Sequence, residues 1–257
     1  IFGSWYDSRD FLFAAVAGVF MLSAPWMLRS SVNRTNTAAV VPFASVLFVW
    51  LAVPSHAMKI AFIDVRFALF TLPFYALMFR RSASAPESPA NLMKARACQV
   101  LLPLLCWALL AAQTAQVTRF AEETRDFDDV LASVEPGQRA LSLVYDMSSA
   151  AARSKVAYYH YPLWYQAENK GFVDFNFAWA PSQMVRFRDD RKPAVQPGWK
   201  PENFEWTPGE GWQYRYFFIR HSNPLPEKLF RNDRCDVRLL KSVRQWSVYE
   251  TVGCRPV

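Results

Sequence analysis

The sequence lacks the short motifs that mark the commonest nucleotide and hydrolase sites. G-x-G-x-x-G, the P-loop, H-E-x-x-H and G-x-S-x-G are all absent from its 257 residues. Dinucleotide binding, P-loop phosphate binding, zinc proteolysis and α/β-hydrolase chemistry therefore have no motif support. The 4 cysteines also lack the C-x-x-C spacing of a zinc site. We identify no cofactor and expect no metal.

Charged residues are absent from three long stretches of the first half. Residues 11–28, 35–58 and 97–118 contain no Asp, Glu, Lys or Arg. Each stretch is long enough, as a helix, to cross a hydrocarbon layer of roughly 30 Å. A fourth apolar block, 60–79, has the required length but carries Asp64 and Arg66. This pattern predicts four transmembrane helices, at about 11–28, 37–54, 60–79 and 97–117.

The character of the sequence changes near Val117, after which polar, charged and aromatic residues mix. Apolar positions at helical spacing continue the last helix to Val134, before Pro136 and Gly137 end it. Strand-like runs follow at 139–145, 213–219, 237–240 and 246–249. We therefore expect an all-α membrane bundle of about four helices over 1–117, followed by a small α/β domain over 118–257.

The basic residues indicate an orientation for this membrane region. The chain has 29 Lys and Arg against 22 Asp and Glu, a net charge of +7, but many of the basic residues flank the apolar blocks. Cytoplasmic loops are enriched in Lys and Arg. The two loops with the most basic residues are therefore predicted to be cytoplasmic, and the domain after Val117 to be exported. The basic residues of these two loops are Arg29, Arg34, Arg80, Arg81, Lys94 and Arg96. Membrane lipids are the expected partners, and nucleic acid is not.

The cysteines divide between the two parts. Cys98 and Cys106 fall within the last apolar block, where a thiol behaves as a small apolar side chain. Cys235 and Cys254 fall in the predicted exported domain, where an oxidising compartment permits a disulfide. If the two last strands pair as a hairpin, these two cysteines come together.

Ionisable residues concentrate in one short outer loop and at the start of the third predicted span. His56, Lys59 and Arg66 lie there with Asp64. An arginine at the membrane interface can bind a phosphate through two hydrogen bonds, and a lysine adds a point charge. In the alternative interpretation, Asp64 and Arg66 pair with neighbouring helices, or the basic side chains extend to lipid headgroups.

Other candidate groups also have a structural alternative. Asp126, Asp128 and Asp129, or Asp189 and Asp190, offer paired carboxylates, but acidic residues on an amphipathic helix usually form its solvated face. An aromatic cluster suits either sugar stacking or a small core; its members are Tyr158, Tyr159, His160, Tyr161, Trp164 and Tyr165. His160 and His221 have no ligand partner at a diagnostic spacing.

The order of these features resembles the C-terminal part of bacterial polytopic glycosyltransferases of the GT-C type. The matching segments are FIDVRFALFTLPFYALMFRR, PGQRALSL, YRYFFIR and WSVYE. The resemblance implies an inner-membrane enzyme that transfers a sugar from a polyprenyl-phosphate donor on the periplasmic side. It also implies donor-phosphate recognition by Arg66 with Lys59, and no residue here matches the family's catalytic carboxylate.

Two functional hypotheses from different classes follow. In the first, the chain is the C-terminal portion of such a transferase. Because it begins at Ile1 rather than Met, we expect either processing or, in preference, a fragment of a longer polytopic protein. In the second, it is a non-enzymatic, membrane-anchored binding or assembly protein with an exported α/β domain. A transporter fragment is a weaker third possibility, since the apolar blocks show no polar pathway.

Overall fold

The computed structural model describes residues 8–34, 36–52, 56–57, 60–61, 70–81, 88–174, 178, 186–188, 190, 200–207 and 210–254. The chain divides into two compact units, Ile1–Thr114 and Ala115–Val257. One helix, α4, begins in the first unit and ends in the second.

The first unit contains short helices joined by small antiparallel ribbons. Its helices are α1 (Ser8–Met27), α2 (Val41–Ala52), α3 (Thr71–Leu77) and the beginning of α4 (Pro89–Leu131). Its strands are β1 (Ser30–Val32), β2 (His56–Ala57), β3 (Ile60–Ala61) and β4 (Phe79–Arg81). The strands pair as β1 with β4 and β2 with β3.

The predicted four-span bundle is wrong. Among the described residues only one helix is long and apolar enough to cross a membrane, over Leu92–Leu131. Helix α2 has 12 residues and α3 has 7, so they reach only about 18 Å and 10 Å at 1.5 Å per residue. The charge-free part of α1 ends with the helix at Met27, and β1 begins only three residues later, at Ser30.

Backbone pairing explains why apolar runs in this unit do not all form long helices. The chain reverses after α1 so that β1 pairs with β4, and Trp26 packs edge-on against Phe79 with ring centres 5.5 Å apart. The Tyr75 hydroxyl donates to the Leu22 carbonyl oxygen at 2.6 Å. Hydropathy alone carries no information about these long-range contacts, so it overestimated the helix lengths.

The second unit is built on a five-stranded mixed sheet with the order β6-β5-β7-β9-β8. Its strands are β5 (Arg139–Val144), β6 (Phe172–Val173), β7 (Tyr216–Arg220), β8 (Asp236–Val243) and β9 (Trp246–Val252). Strand β5 runs parallel to both β6 and β7, whereas β9 is antiparallel to β7 and β8. The short helix α5 (Trp164–Asn169) lies in the connection from β5 to β6.

Both faces of the sheet are covered, because alternate residues of the central strands pack in different clusters. Ala140, Val144 and Phe218 face the end of α4, where Phe127 and Val130 are fully buried. Leu141, Leu143, Phe217 and Ile219 face two irregular segments, one before β7 that carries Phe204 and Trp206 and one after it that carries Leu229. Strand β7 is buried along its whole length on both faces of the sheet. A ligand can therefore approach the central strands only at their ends.

Candidate functional site

The carboxyl ends of β5 and β7 meet at one edge of the sheet. The parallel register places Val144 opposite Arg220. The backbone N–H groups of Tyr145 and Asp146 then donate to the Arg220 carbonyl oxygen at 2.9 and 3.1 Å. Ligands of open α/β sheets usually bind outside the carboxyl ends of parallel strands. We therefore take this edge as the candidate functional site.

Arg220 is a buried cation at this edge, with only 3% of its surface exposed. One guanidinium nitrogen lies 3.3 Å from Asp146 Oδ2. The guanidinium also donates to the Asp146 backbone carbonyl and to Gln245 Oε1. A buried charge is tolerated only when it is paired and hydrogen-bonded. These contacts pair the charge and engage both terminal nitrogens, whereas the buried Nε of Arg220 has no hydrogen-bond partner among the described residues.

Glu123 connects this cation to helix α4. Its Oε1 atom accepts a hydrogen bond from the Tyr158 hydroxyl at 3.0 Å and lies 3.9 Å from an Arg220 nitrogen. Its Oε2 atom accepts from Ser149 Oγ at 3.0 Å. Burial, followed by the hydrogen bond to Glu123, raises the pKa of Tyr158 above its usual value, so its phenol remains a donor at neutral pH.

Asp146 belongs both to this network and to the open edge. Burial alone would raise its pKa, but hydrogen bonds from Ser148 and Ser222 and the charge of Arg220 outweigh burial and lower it. Asp146 is therefore a carboxylate at neutral pH. Because its oxygens already accept from Ser148 and Ser222, it is poorly suited to remove a proton from a substrate.

Two adjoining clefts open beside Asp146, each with a volume of about 390 Å³. Tyr145 and Glu202 line both clefts and form the boundary between them. The first cleft is also lined by Asp146, His221, Ser222, Asn223, Pro224 and Leu225. The second is also lined by Phe204, Glu205, Trp206, Thr207, Pro226, Lys228, Leu229 and Arg231. We call the pair the Tyr145 cleft.

Two polar atoms of the side chains that line the Tyr145 cleft have no protein hydrogen-bond partner among the described residues. They are the buried hydroxyl of Tyr145 and the buried indole nitrogen of Trp206. Burial and the negative charge of Glu202 raise the pKa of Tyr145 to about 12, so the phenol keeps its proton. An indole N–H is only ever a donor. Both lining residues therefore carry a hydrogen-bond donor that the protein itself does not satisfy. Because both atoms are buried, each side chain has to turn toward the cleft before a ligand can accept its hydrogen bond.

The side chains that line this cleft carry charges of both signs. Exposed carboxylates come from Glu202 and Glu205, and cationic groups come from Lys228 and Arg231. Within the residues that the structure describes, no group of three His, Cys, Asp or Glu side chains is placed to hold a metal ion. The cleft therefore presents aromatic surface together with both donors and acceptors.

The predicted phosphate-binding group cannot be located. Lys59, Asp64 and Arg66 lie outside the described residues, and of His56 only the backbone is described, in strand β2. Phosphate recognition by His56, Lys59 and Arg66 stays a prediction.

The other predicted residues fall in structural positions. Cys235 and Cys254 form a disulfide that joins the start of β8 to the end of β9. Tyr158 and Tyr165 are buried in the core between α4 and the sheet, with Tyr161 packed against it. Asp126 lies 3.6 Å from an Arg244 nitrogen.

The two histidines have different surroundings. His160 packs against the Tyr159 ring, with ring centres 4.4 Å apart, whereas His221 lines the Tyr145 cleft. His221 Nδ1 is 2.8 Å from the Asn223 carbonyl oxygen. Within the part of the chain that the structure describes, neither histidine belongs to a group of three His, Cys, Asp or Glu side chains that could hold a metal ion.

The sequence reasoning did not single out Arg220, Glu123 or Tyr145. The sequence did contain one indication of a role for Arg220: it is a charged residue at the end of the otherwise apolar strand YFFIR. A charge at the end of a buried strand needs a partner from elsewhere in the chain. The identity of that partner, however, depends on the parallel pairing of β5 with β7.

Comparison with protein-family models, curated proteins and solved structures finds no match to this chain. The glycosyltransferase activity suggested by the resemblance therefore remains a prediction.

Proposed function

We propose that this chain is a membrane-anchored binding protein whose Ala115–Val257 unit lies on the exported side and holds a carbohydrate-class ligand in the Tyr145 cleft. The observation that carries the proposal is the combination, in one cleft, of aromatic surface, unsatisfied donors and exposed carboxylates.

The apolar part of α4 supports the membrane anchor. Its segment from Val100 to Val117 exposes large apolar side chains, including Leu104 at 58% and Trp107 at 68%. The core helix of a water-soluble protein would bury such side chains, whereas a lipid-facing helix exposes them to hydrocarbon. Pro103 lies inside this helix, which membrane helices tolerate better than soluble ones.

The disulfide supports the exported side. Disulfides persist in oxidising compartments and are rare in the reducing cytosol. Cys235 and Cys254 carry the disulfide of the second unit, and Cys98 and Cys106, in the apolar part of α4, are free.

The choice of ligand class follows from hydrogen-bond complementarity. The phenol of Tyr145 and the indole of Trp206 need acceptors, whereas the carboxylates of Glu202 and Glu205 need donors. A hydroxyl group is both a donor and an acceptor, so a ligand with several hydroxyls satisfies both kinds of group. Aromatic side chains also provide flat apolar surface for a sugar ring.

The test is an isothermal calorimetric titration of the full chain in detergent micelles with glucose, mannose, galactose and N-acetylglucosamine. We expect saturable binding of at least one sugar. Tyr145→Phe removes a hydrogen bond to a ligand hydroxyl, and Glu202→Gln replaces a charged acceptor by a weaker neutral one. Each change should weaken that binding severalfold, up to about tenfold.

Glu227→Gln is the matched control, since Glu227 is an exposed glutamate close to Lys228 in sequence that does not line the cleft. It should bind like the wild type. Absence of saturable binding by all four sugars, or equal weakening by Glu227→Gln, would overturn the carbohydrate proposal.

A further inference from the structure

A short turn after β5 carries exposed positive charge and folds back on itself. Residues 149–156, here called the basic turn, are closed by two backbone hydrogen bonds between Ser149 and Ser154, at 2.8 and 3.1 Å. Arg153 adopts a left-handed conformation with a φ of 49° at the bend. Arg153, Lys155 and Val156 are exposed, the last by 52%. The turn thus presents two cations beside an apolar side chain.

Two side chains of helix α4 fix the basic turn against the helix. Gln116 Nε2 donates to the Ala152 carbonyl oxygen at 3.0 Å. Glu123 Oε2 accepts from the Ala151 backbone N–H at 3.0 Å, as well as from Ser149 Oγ. Gln116 and Glu123 are seven residues apart and so lie on one face of the helix, about 10 Å from each other along its axis. The bend of the turn therefore lies level with Gln116.

Gln116 is close to the point where the helix must leave the bilayer. The charge-free run 97–118 spans about 33 Å as a helix, which matches a hydrocarbon thickness of roughly 30 Å. Arg119 is the first charged residue after the run and is exposed. An Arg or Lys at this position meets the headgroup layer. The basic turn, fixed at Gln116, therefore lies at the same depth as the headgroups.

We propose that the basic turn docks on anionic lipid headgroups at the leaflet from which α4 emerges. Arg153 and Lys155 contact headgroup phosphates, and Val156 enters the boundary between headgroups and acyl chains. This inference rests on the membrane anchor of the proposed function, but not on the ligand of the Tyr145 cleft. The neighbouring Glu122 is exposed and acidic, and it offsets part of the positive charge that Arg119, Arg153 and Lys155 bring to this surface.

The consequence of docking is a fixed height and rotation of the second unit relative to the membrane surface. A single helix leaves the attached domain free to rotate about the helix axis with respect to the lipid. A second contact with the same leaflet removes part of that freedom. Each basic residue near an anionic surface strengthens such a contact roughly fivefold.

The test uses the full chain, with Cys98 and Cys106 replaced by alanine, reconstituted in nanodiscs. A nitrobenzoxadiazole (NBD) fluorophore is attached at Val156→Cys, and its quenching by spin-labelled lipid is measured. In nanodiscs containing 30% phosphatidylglycerol we expect strong quenching and blue-shifted emission. Phosphatidylcholine alone, or the additional changes Arg153→Gln and Lys155→Gln, should reduce the quenching severalfold.

Two further label positions separate the possible failures. A label at Leu104→Cys reports the anchor, and it should be strongly quenched in both lipids. If it is not quenched, the proposed membrane anchor fails. A label at Glu227→Cys, an exposed loop position, gives the background value. If the Leu104 label is quenched but the Val156 label equals this background in anionic lipid, the docking inference is overturned.

The source of the phosphate is tested by competition. Inorganic phosphate and chloride, compared at equal ionic strength, should reduce quenching of the Val156 label equally, because both act only by screening. Release that is specific to phosphate would identify a soluble-anion site instead and would also overturn the lipid proposal.

Discussion

The guanidinium carbon of Arg220 lies 3.9 Å from the centre of the Tyr158 ring. The same tyrosine donates its hydroxyl proton to Glu123, so one side chain contacts the cation with its ring face and the anion with its hydroxyl. A cation over an aromatic face is attracted most strongly when water is excluded, as it is here. Through the contacts of Glu123 with Tyr158 and Arg220, helix α4 is held against the end of β7.

Replacement of Arg220 by methionine should lower the unfolding free energy by roughly 3 kcal/mol, the lower end for a broken buried ion pair. The value is at the lower end because the side chains of Glu123 and Asp146 are 27% and 24% exposed and regain some hydration. Urea denaturation of the full chain in micelles measures it. Arg238→Met is the control: that side chain is 64% exposed, and its buried partner Glu250 keeps an ion pair with Arg215 at 2.6 Å, so its loss should cost less than about 1 kcal/mol. Equal losses in the two variants would contradict the central role of Arg220.

Gly171 should not tolerate a side chain. A Cβ atom there would overlap the ring of Tyr165. That ring cannot move easily, because its hydroxyl donates to the Glu135 carbonyl at 2.6 Å and accepts from the Gln138 N–H at 3.1 Å. Gly171→Ala should therefore destabilise the protein by about 1–3 kcal/mol, as overpacked cores do.

A double-mutant cycle checks the cause of this loss. Tyr165→Leu removes the ring and is itself destabilising, but Gly171→Ala should then cost little more when it is added. If the two costs are simply additive, the overlap with Tyr165 is not the reason for the glycine.

The disulfide should matter for stability as well as for location. It closes a separation of 19 residues around the β8–β9 hairpin. The chain-entropy relation predicts a stabilisation of about 3 kcal/mol for a loop of this length. The double variant Cys235→Ser and Cys254→Ser should therefore have an unfolding free energy lower by that amount, which urea denaturation measures. The wild type after reduction should match the variant; a reduced wild type as stable as the oxidised protein would rule out this contribution.

His160 should make the protein less stable under mildly acidic conditions. Burial lowers its pKa below the usual value of 6.5. Below pH 6.5 the unfolded chain therefore binds a proton that the folded chain does not, and the unfolding free energy falls as the pH falls. Urea unfolding at pH 7.5 and 5.0 should show a smaller loss for His160→Gln than for the wild type. Asp146 acts in a different range: its lowered pKa keeps its stabilisation until the pH falls below about 4.

The sequence predicted local elements of the second unit better than the architecture of the first. Strands occupy the apolar runs that begin at Arg139 and Trp246, and α4 ends at Leu131, shortly before Pro136. These elements depend on residues close together in the chain. The four-span prediction failed because hydropathy records composition, whereas the lengths of α2 and α3 depend on distant pairings such as β1 with β4.

The candidate site was largely beyond reach of the sequence for the same reason. Tyr145 and Glu202 are 57 positions apart by number, and they share a cleft only after the segments 200–207 and 221–231 cover one face of the sheet. The sequence did show the aromatic cluster around Tyr158. Whether it stacks on a ligand or fills a core is decided by α4, which places Phe127 against Tyr161.

The parallel pairing of β5 with β7 joins Ala140 to Tyr216, with helix α5 and strand β6 in between. Such non-local pairing gives the second unit a high contact order, which slows folding. During synthesis, the completed β5 must wait for more than seventy further residues before its partner exists. An apolar strand exposed for that long is prone to pair with other chains, so we expect this unit to be most vulnerable to aggregation while it is being made.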